Sequence, residues 1–312
     1  MSVAMVFPGQ GSQSVGMLAD LARAHPAIIE RTFAEASGVL GYDLWQLVCQ
    51  GPAEKLNATE CTQPAMLAAG IATWRCWQEQ GGARPALVSG HSLGEFSALV
   101  CAGALDFAAA IDLVRFRGQA MQQAVPAGAG AMAAVLGLDD AEVEASCAEA
   151  AQGEVVEAVN YNSPGQIVIA GQAGAVERAI AAAKARGAKR AVTLPVSVPS
   201  HSSLMRGAAD RLRERLAGMD VRPPQIRYVS AVDAAEHAEP ADIVAILVRQ
   251  LASPVRWSAT VAALTARGAT RLVECGPGKV LTALNRRIER RPEIQCAALE
   301  DAASLAAAVK EP

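Results

Sequence analysis

Residues 85–103 read PALVSGHSLGEFSALVCAG, and this stretch predicts a strand, a sharp turn and a helix in succession. Pro85–Ser89 is a short apolar run typical of a buried strand, and the residues from Leu93 to about Gly103 indicate a helix. Between them, Gly90-His91-Ser92-Leu93-Gly94 fits the pattern G-x-S-x-G, in which two glycines permit the tight turn that exposes a serine. The alternative is a glycine-rich turn that happens to contain a serine.

The turn also places Ser92 where a developing negative charge can be stabilised. A helix that begins just after the serine directs its N-terminal amides and the positive end of its dipole toward that point. The sequence therefore predicts Ser92 as a nucleophile and the backbone N–H of Leu93 as the first donor of an oxyanion hole.

Short apolar strands alternate with helices on both sides of this stretch. The pattern indicates a parallel sheet covered on both faces, because parallel strands are buried and connected by helices. The clearest strands are Val3–Phe7 and Arg271–Glu274, and the clearest helices are Met17–Ser37, Gln63–Gln80 and Asp106–Ala124.

The middle of the chain has a different order of elements. It reads strand, helix, strand, strand, helix, strand, which is the βαββαβ order of a ferredoxin-like unit. The predicted elements are Ala131–Gly137, Asp139–Ala151, Val155–Tyr161, Gln166–Ala170, Ala173–Arg186 and Lys189–Val196. We therefore expect a small subdomain over residues 128–197, inserted into a larger domain formed by residues 1–127 and 198–312.

A catalytic serine needs a base within hydrogen-bonding distance, and the chain has four histidines. His25 and His237 lie in polar surroundings that predict surface positions, and His91 is adjacent to the nucleophile. His201, in a stiff loop with prolines at 195 and 199, is therefore predicted as the general base and later the general acid. A helix-capping or core histidine is the alternative. A backbone carbonyl or the amide of Gln250 could orient it, since no aspartate is obvious by position.

The first predicted strand leads into Phe7-Pro8-Gly9-Gln10-Gly11-Ser12-Gln13. Its glycines let the backbone approach a ligand closely, and ligands bind at the carboxyl ends of strands in open α/β sheets. The N–H of Gln10 could thus be the second oxyanion donor; a plain strand-to-helix turn is the alternative. A P-loop is excluded because no G-K-[ST] follows.

Arg115 and Arg117 lie in the largely apolar helix segment 113–121, where Arg117 is on the same face as residues 113, 120 and 121. An arginine on such a face needs a carboxylate partner, which either the protein or a substrate can provide. Spacing alone leaves both possibilities open.

Composition excludes several classes of protein. A net charge of −3 gives no global attraction to nucleic acid or to an anionic membrane. No apolar run is long enough to span a bilayer, and the N-terminus lacks the basic region of a signal peptide. The seven cysteines include no CxxC spacing, so disulfides and zinc are not expected. A reduced, cytoplasmic protein is the simplest interpretation.

Taken together, the motifs resemble those of bacterial malonyl-CoA:acyl carrier protein transacylases over nearly the whole chain. Several such strings in register are far more specific than any one of them. The strings that carry the resemblance are Phe7-Pro8-Gly9-Gln10-Gly11-Ser12-Gln13, Gln63-Pro64-Ala65, Gly90-His91-Ser92-Leu93-Gly94-Glu95, Arg117-Gly118, Asn162-Ser163-Pro164-Gly165-Gln166, Pro199-Ser200-His201 and Glu274-Cys275-Gly276-Pro277-Gly278.

The resemblance implies an α/β fold, with a hydrolase-like parallel-sheet core, an inserted ferredoxin-like subdomain and an active site between them. It implies that Ser92 is acylated, that His201 is its base, and that Gln250 steadies the histidine. Gln10 and Leu93 would form the oxyanion hole through their amides, and Arg117 would bind the malonyl carboxylate. One departure is Ala231, where the family commonly has asparagine before Val-Asp.

The expected reaction is ping-pong transfer of a malonyl group from malonyl-CoA to holo acyl carrier protein, in fatty acid synthesis, by a monomer without cofactor or metal. Because carrier proteins are acidic, the basic pairs Lys189-Arg190 and Arg286-Arg287 are predicted docking contacts; a solvated surface is the alternative. The rival functions are a serine esterase or thioesterase, a non-catalytic carrier-binding subunit, and malonyl loading in polyketide synthesis or malonate decarboxylation.

Overall fold

A computed structural model describes residues 2–196 and 198–310. The bounds 1, 197 and 312 of the predicted domains lie outside the described residues, as does Ser197 in the predicted histidine loop. The described strands are β1 (Val3–Phe7), β2 (Leu87–Gly90), β3 (Gly130–Leu136), β4 (Val156–Ser163), β5 (Gln166–Gln172), β6 (Arg190–Thr193), β7 (Arg227–Val229), β8 (Glu236–His237), β9 (Arg271–Glu274) and β10 (Gln295–Ala298).

Helices connect most of these strands. In chain order they are α1 (Ala19–Ala24), α2 (Pro26–Leu40), α3 (Leu44–Gln50), α4 (Ala53–Asn57), α5 (Thr59–Glu79), α6 (Gly94–Cys101), α7 (Phe107–Gln122), α8 (Asp140–Ala151), α9 (Ala173–Ala185), α10 (Arg206–Leu216), α11 (Pro240–Gln250), α12 (Trp257–Ala266), α13 (Val280–Ile288) and α14 (Ala302–Lys310). Among the described residues, no helix has both the length and the apolar character that a bilayer crossing requires.

The larger sheet has six strands in the order β10-β9-β1-β2-β7-β8, and only the short edge strand β8 runs antiparallel to its neighbour. All five residues of β1 are buried, because helices cover both faces of the sheet. In the parallel pair β1–β2, Phe7 lies beside Gly90. The loops that follow these two strands therefore emerge side by side at the carboxyl edge of the sheet, where ligands bind in open α/β folds.

The smaller sheet has four antiparallel strands in the order β4-β5-β3-β6, with α8 and α9 packed against it. This strand order, with the chain order βαββαβ, is that of a ferredoxin-like unit. The sheet has its own core, which includes Val135, Ile167 and Val176. The predicted fold class, a parallel-sheet α/β core with a ferredoxin-like unit, is confirmed. The domain bounds 1–127, 128–197 and 198–312 stay a prediction.

The predicted helix Met17–Ser37 is wrong in one respect, because it is two helices that meet at His25. Pro26 is the first residue of α2, and the ring of a proline disfavours helical geometry in the residue before it. His25 accordingly has φ −131° and ψ 54°. Proline at the start of α2 is well tolerated, since its missing N–H would have no partner within the helix.

Candidate active site

The turn between β2 and α6 holds Ser92 in an unusual backbone conformation. Its φ is +54°, in the left-handed region that non-glycine residues rarely adopt. The two flanking glycines leave no room for a side chain: a Cβ on Gly90 would lie 1.9 Å from the carbonyl carbon of Gly94, and one on Gly94 would lie 2.0 Å from the Phe7 oxygen. Close backbone packing therefore forces the strand-to-helix turn that exposes the serine, as predicted from G-x-S-x-G.

The N-terminal loop packs directly against this turn. The N–H of His91 donates to the Phe7 carbonyl at 3.0 Å, and a Cβ on Gly9 would lie 2.4 Å from the His91 carbonyl oxygen. Among the described residues, neither the backbone N–H of Gln10 nor that of Leu93 donates a hydrogen bond to a protein group. Two unused donors at adjoining loops are what an oxyanion hole requires, although this role stays a prediction for both residues.

His201 and Ser92 lie in direct contact, although they are 109 residues apart in the chain. Ser92 Oγ is 2.7 Å from His201 Nε2, and His201 Nδ1 is 2.8 Å from the backbone carbonyl oxygen of Gln250. Because a carbonyl can only accept, Nδ1 carries the hydrogen and Nε2 is left to accept from the serine. The structure thus selects the carbonyl of Gln250 over its side-chain amide as the histidine's neighbour.

Burial keeps the imidazole uncharged. His201 is 3% exposed, and burial together with the nearby Arg117 guanidinium lowers the pKa of His201 to about 3. A neutral imidazole that faces a serine hydroxyl can accept its proton, so the pair has the geometry of a nucleophile and its general base.

Arg117 projects from α7 into the same site and is 1% exposed. Its Nη1 donates to Gln63 Oε1 at 2.9 Å, and its Nη2 donates to Gln250 Oε1 at 2.8 Å and to Ser92 Oγ at 3.3 Å. All three acceptors are neutral. Burial lowers the pKa of Arg117 to about 10, while the charge of Glu95 acts in the opposite direction. The guanidinium thus remains cationic, without a direct carboxylate partner among the described residues.

The approach of α7 to the start of α5 depends on Gly118. A Cβ at this position would lie 2.7 Å from the Cα of Glu60. The close contact of the two helices brings Arg117 to Gln63, which explains why a glycine directly follows the arginine.

A cavity of about 430 Å³ joins these groups and lies between the two sheets. One wall contains Gln10, Ser92 and Arg117, and the opposite wall is formed by apolar residues of the smaller sheet, including Met132 and Val168. The volume suits a small acyl group with part of an extended chain.

The four predicted docking residues are exposed and are not among those that line this cavity. Arg286 Nη2 donates to the Cys296 carbonyl at 3.0 Å, and Arg287 Nη1 donates to Gln166 Oε1 at 2.7 Å. Lys189 and Arg190 lie at the start of the edge strand β6. Their role in docking stays a prediction.

Sequence reasoning missed three polar residues that surround the pair. These are Gln63, Glu95 and Tyr228, all of which are buried. Gln63 and Glu95 stand inside strings that carried the family resemblance, which was a usable signal, whereas Tyr228 gave none because it reads as an ordinary strand residue.

The other histidines form contacts of their own. The predicted surface position of His25 is wrong: its side chain is 9% exposed and contacts Glu79 and Gln80. His91 Nε2 lies 2.9 Å from Asn162 Oδ1, so its ring turns away from Ser92 toward the smaller sheet.

The chain is similar to known proteins over nearly its whole length. A malonyl CoA-acyl carrier protein transacylase of Salmonella typhimurium is 56% identical over 308 residues, which cover 99% of each chain. An acyl carrier protein S-malonyltransferase from Vibrio cholerae has a TM-score of 0.95 and 57% identity, with 98% and 99% of the two chains covered.

A malonyl-transacylase solved in complex with its type II polyketide acyl carrier protein has a TM-score of 0.98 and 56% identity, and each chain is fully covered. The model of the acyl transferase domain family matches residues 4–304. Since this match spans nearly the whole chain and includes Ser92, Arg117 and His201, the protein belongs to the acyl transferase domain family.

Proposed function

We propose that this protein transfers the malonyl group of malonyl-CoA to the phosphopantetheine thiol of holo acyl carrier protein through a malonyl ester on Ser92. The observation that carries the proposal is the position of Ser92 Oγ, 2.7 Å from the base His201 and 3.3 Å from the guanidinium of Arg117. A nucleophile, a base and an unpaired cation in one cavity suit an acyl thioester that ends in a carboxylate. The transacylase names of relatives that are 56% identical support the same reaction.

In the first half-reaction, Ser92 Oγ forms a bond to the thioester carbonyl carbon while His201 Nε2 accepts the hydroxyl proton. The carbonyl oxygen becomes an oxyanion, which the amides of Gln10 and Leu93 stabilise. Collapse of this intermediate breaks the carbon–sulfur bond, and the coenzyme A thiolate takes the proton from His201. The products are free coenzyme A and the malonyl-serine ester.

In the second half-reaction, the carrier thiol takes the place of coenzyme A. His201 accepts the thiol proton as the sulfur attacks the ester carbonyl, and it returns the proton to Ser92 Oγ as the carbon–oxygen bond breaks. The chemistry is the first half-reaction in reverse, so the same groups serve both. The carbonyl of Gln250 holds the imidazole in the required tautomer throughout.

Arg117 selects the malonyl group in this proposal. Its present acceptors are neutral, so a carboxylate can replace one of them and form a bidentate pair. An acetyl group offers no carboxylate, and the buried charge would remain without an ionic partner.

The test is Arg117→Ala, assayed with malonyl-CoA and acetyl-CoA. We expect kcat/KM for malonyl-CoA to fall about 100-fold or more, because the carboxylate would be buried without a partner, and acetyl transfer to change little. Arg115→Ala is the matched control, since Arg115 lies on the same helix but pairs with Asp112. Survival of the malonyl preference in Arg117→Ala would contradict the proposal.

Several finer points belong to the proposal as well. We assign the reaction to fatty acid synthesis, with polyketide synthesis as the alternative because one structural neighbour serves a type II polyketide carrier. We further propose that the protein is a cytoplasmic monomer and does not bind nucleic acid. We also propose that it needs no cofactor or metal, since the reaction uses only the groups named above.

A further inference from the structure

A buried polar cluster lies beneath Ser92 and is not used by the reaction as written. Glu95, in the first turn of α6, is 0% exposed, and so is Tyr228 on β7. Glu95 accepts hydrogen bonds from the Tyr228 hydroxyl and from Gln250 Nε2, the latter at 2.8 Å. A fully buried carboxylate is costly unless it balances another charge, so its presence three residues after Ser92 needs a reason.

The Gln250 side chain connects Glu95 with Arg117. Its Nε2 donates to Glu95, while its Oε1 accepts from Arg117 Nη2 at 2.8 Å. Nε2 also donates to the Ser92 carbonyl at 2.9 Å. Because an amide NH2 only donates and an amide oxygen only accepts, this is the single orientation that satisfies all three neighbours. The carboxylate therefore lies one amide group away from the guanidinium.

The surroundings of Glu95 act on its ionisation in opposite directions, and the net effect is a raised pKa. Burial raises the pKa of Glu95, whereas hydrogen bonds from Tyr228, Gln250, Ser230 and the Ala231 amide act in the opposite direction. The ionisable groups around it are Arg117 from α7, Tyr228 from β7, and His201, which reaches the cluster through the Gln250 carbonyl. The charge of Asp233 contributes to raising the pKa of Tyr228.

Within the part of the chain that the structure describes, Arg117 is the one cation that hydrogen-bonds into this buried set. If a malonyl carboxylate pairs with Arg117, the same guanidinium must balance two carboxylates, and one excess negative charge is left in a water-poor interior. Neutralising Glu95 by a proton removes that excess. This reasoning rests on the proposed function, since it requires the malonyl group to bind at Arg117.

We propose that Glu95 is the resident counter-charge of Arg117, and that it takes up a proton from solvent when the malonyl carboxylate occupies the guanidinium. Because the bound state then holds more protons than the free state, malonyl affinity falls as the pH rises between the free and bound pKa values of Glu95. Acetyl-CoA brings no carboxylate to Arg117, so its binding is not linked to this proton.

Calorimetric titration tests the proposal in a Ser92→Ala background, where binding is separated from acyl transfer. Malonyl-CoA and acetyl-CoA are titrated at one pH in buffers of different ionisation enthalpy, which reports the protons taken up. We expect uptake of up to about one proton for malonyl-CoA and none for acetyl-CoA. Adding Glu95→Gln should abolish the uptake and tighten malonyl-CoA about 3- to 10-fold relative to acetyl-CoA. A purely structural role would weaken both ligands instead.

Tyr228→Phe provides a second variant in case Glu95→Gln does not fold. It removes one donor to the carboxylate and so favours neutral Glu95 before any ligand binds, which should reduce proton uptake and tighten malonyl-CoA by a smaller factor. Absent uptake in the parent, undiminished uptake in both variants, or weaker relative binding of malonyl-CoA in both would overturn the proposal. A parent that binds malonyl-CoA no better than acetyl-CoA would overturn the proposed function as well.

Discussion

The backbone of Ser92 is strained at the position of the proposed nucleophile. A non-glycine residue at a φ of +54° costs on the order of 1–3 kcal/mol, and it persists only where its neighbours enforce it. Here the glycines at 90 and 94 enforce it through backbone contacts, and His201 also has a positive φ, of +67°. Both groups that exchange the proton in the proposed reaction are therefore held in place before a substrate arrives.

The pH dependence of Ser92 acylation follows from the environment of His201. A base acts only in its neutral form, and with its pKa lowered to about 3 His201 stays neutral far below the usual value of about 6.5. We expect the single-turnover acylation rate at saturating malonyl-CoA to change little from about pH 8 down to about pH 5. Rapid quenching and mass spectrometry would measure it, and a half-loss of rate near pH 6.5 would show that the imidazole is not perturbed.

Residues with a local signature could be predicted from sequence, and residues defined by distant contacts could not. Ser92 and Leu93 follow from one strand-turn-helix pattern, and His201 follows from elimination among four histidines. The choice between a backbone carbonyl and the amide of Gln250 could not be made, because it depends on how a segment 49 residues from His201 returns to it. Glu95 meets Gln250 across 155 residues, which no local pattern encodes.

At the scale of elements, short strands with an apolar centre between turn residues were the most predictable. The strands Val3–Phe7 and Arg271–Glu274 have the predicted bounds, because each is wholly buried and is bounded by loop residues. The short elements α4 and β8 were not predicted, since five and two residues are too few to show a period. Their backbone is ordered by contacts with α5 and β7 instead.

Glycine substitutions in and away from the active-site turn should differ in their effect on the free energy of unfolding. Gly94→Ala would place a Cβ 2.0 Å from the Phe7 carbonyl oxygen, so we expect the free energy of unfolding to fall by at least about 2 kcal/mol. Gly207 lies in α10 with no atom near its Cβ position, and Gly207→Ala should leave stability unchanged or raise it by up to about 1 kcal/mol. Urea denaturation measures both, and equal effects would contradict the packing described for the turn.

For the whole molecule, the relation between the two sheets decides whether an active site exists. The order βαββαβ predicts the smaller sheet but does not say which of its faces meets the larger one. In the structure, the amide of Tyr161 donates to the Val255 carbonyl at 2.9 Å, and the amide of Val255 donates to the Val159 carbonyl at 2.8 Å. These bonds fix β4 to the segment just after Gln250, and they hold the apolar wall of the cavity opposite Ser92.

In the proposed reaction, this one cavity serves both half-reactions. Coenzyme A and the carrier protein present the same thiol arm, and only the groups around Ser92 need to act on it. The reaction therefore requires a covalent acyl-enzyme that forms with the first substrate and is consumed by the second.

Peptide mass spectrometry of the protein after incubation with malonyl-CoA tests this claim most directly. We expect a malonyl adduct on the peptide that contains Ser92. The adduct should be lost when holo acyl carrier protein is added, with the malonyl group recovered on the carrier thiol. Transfer to the carrier with Ser92 unmodified, or an adduct on another residue, would contradict it.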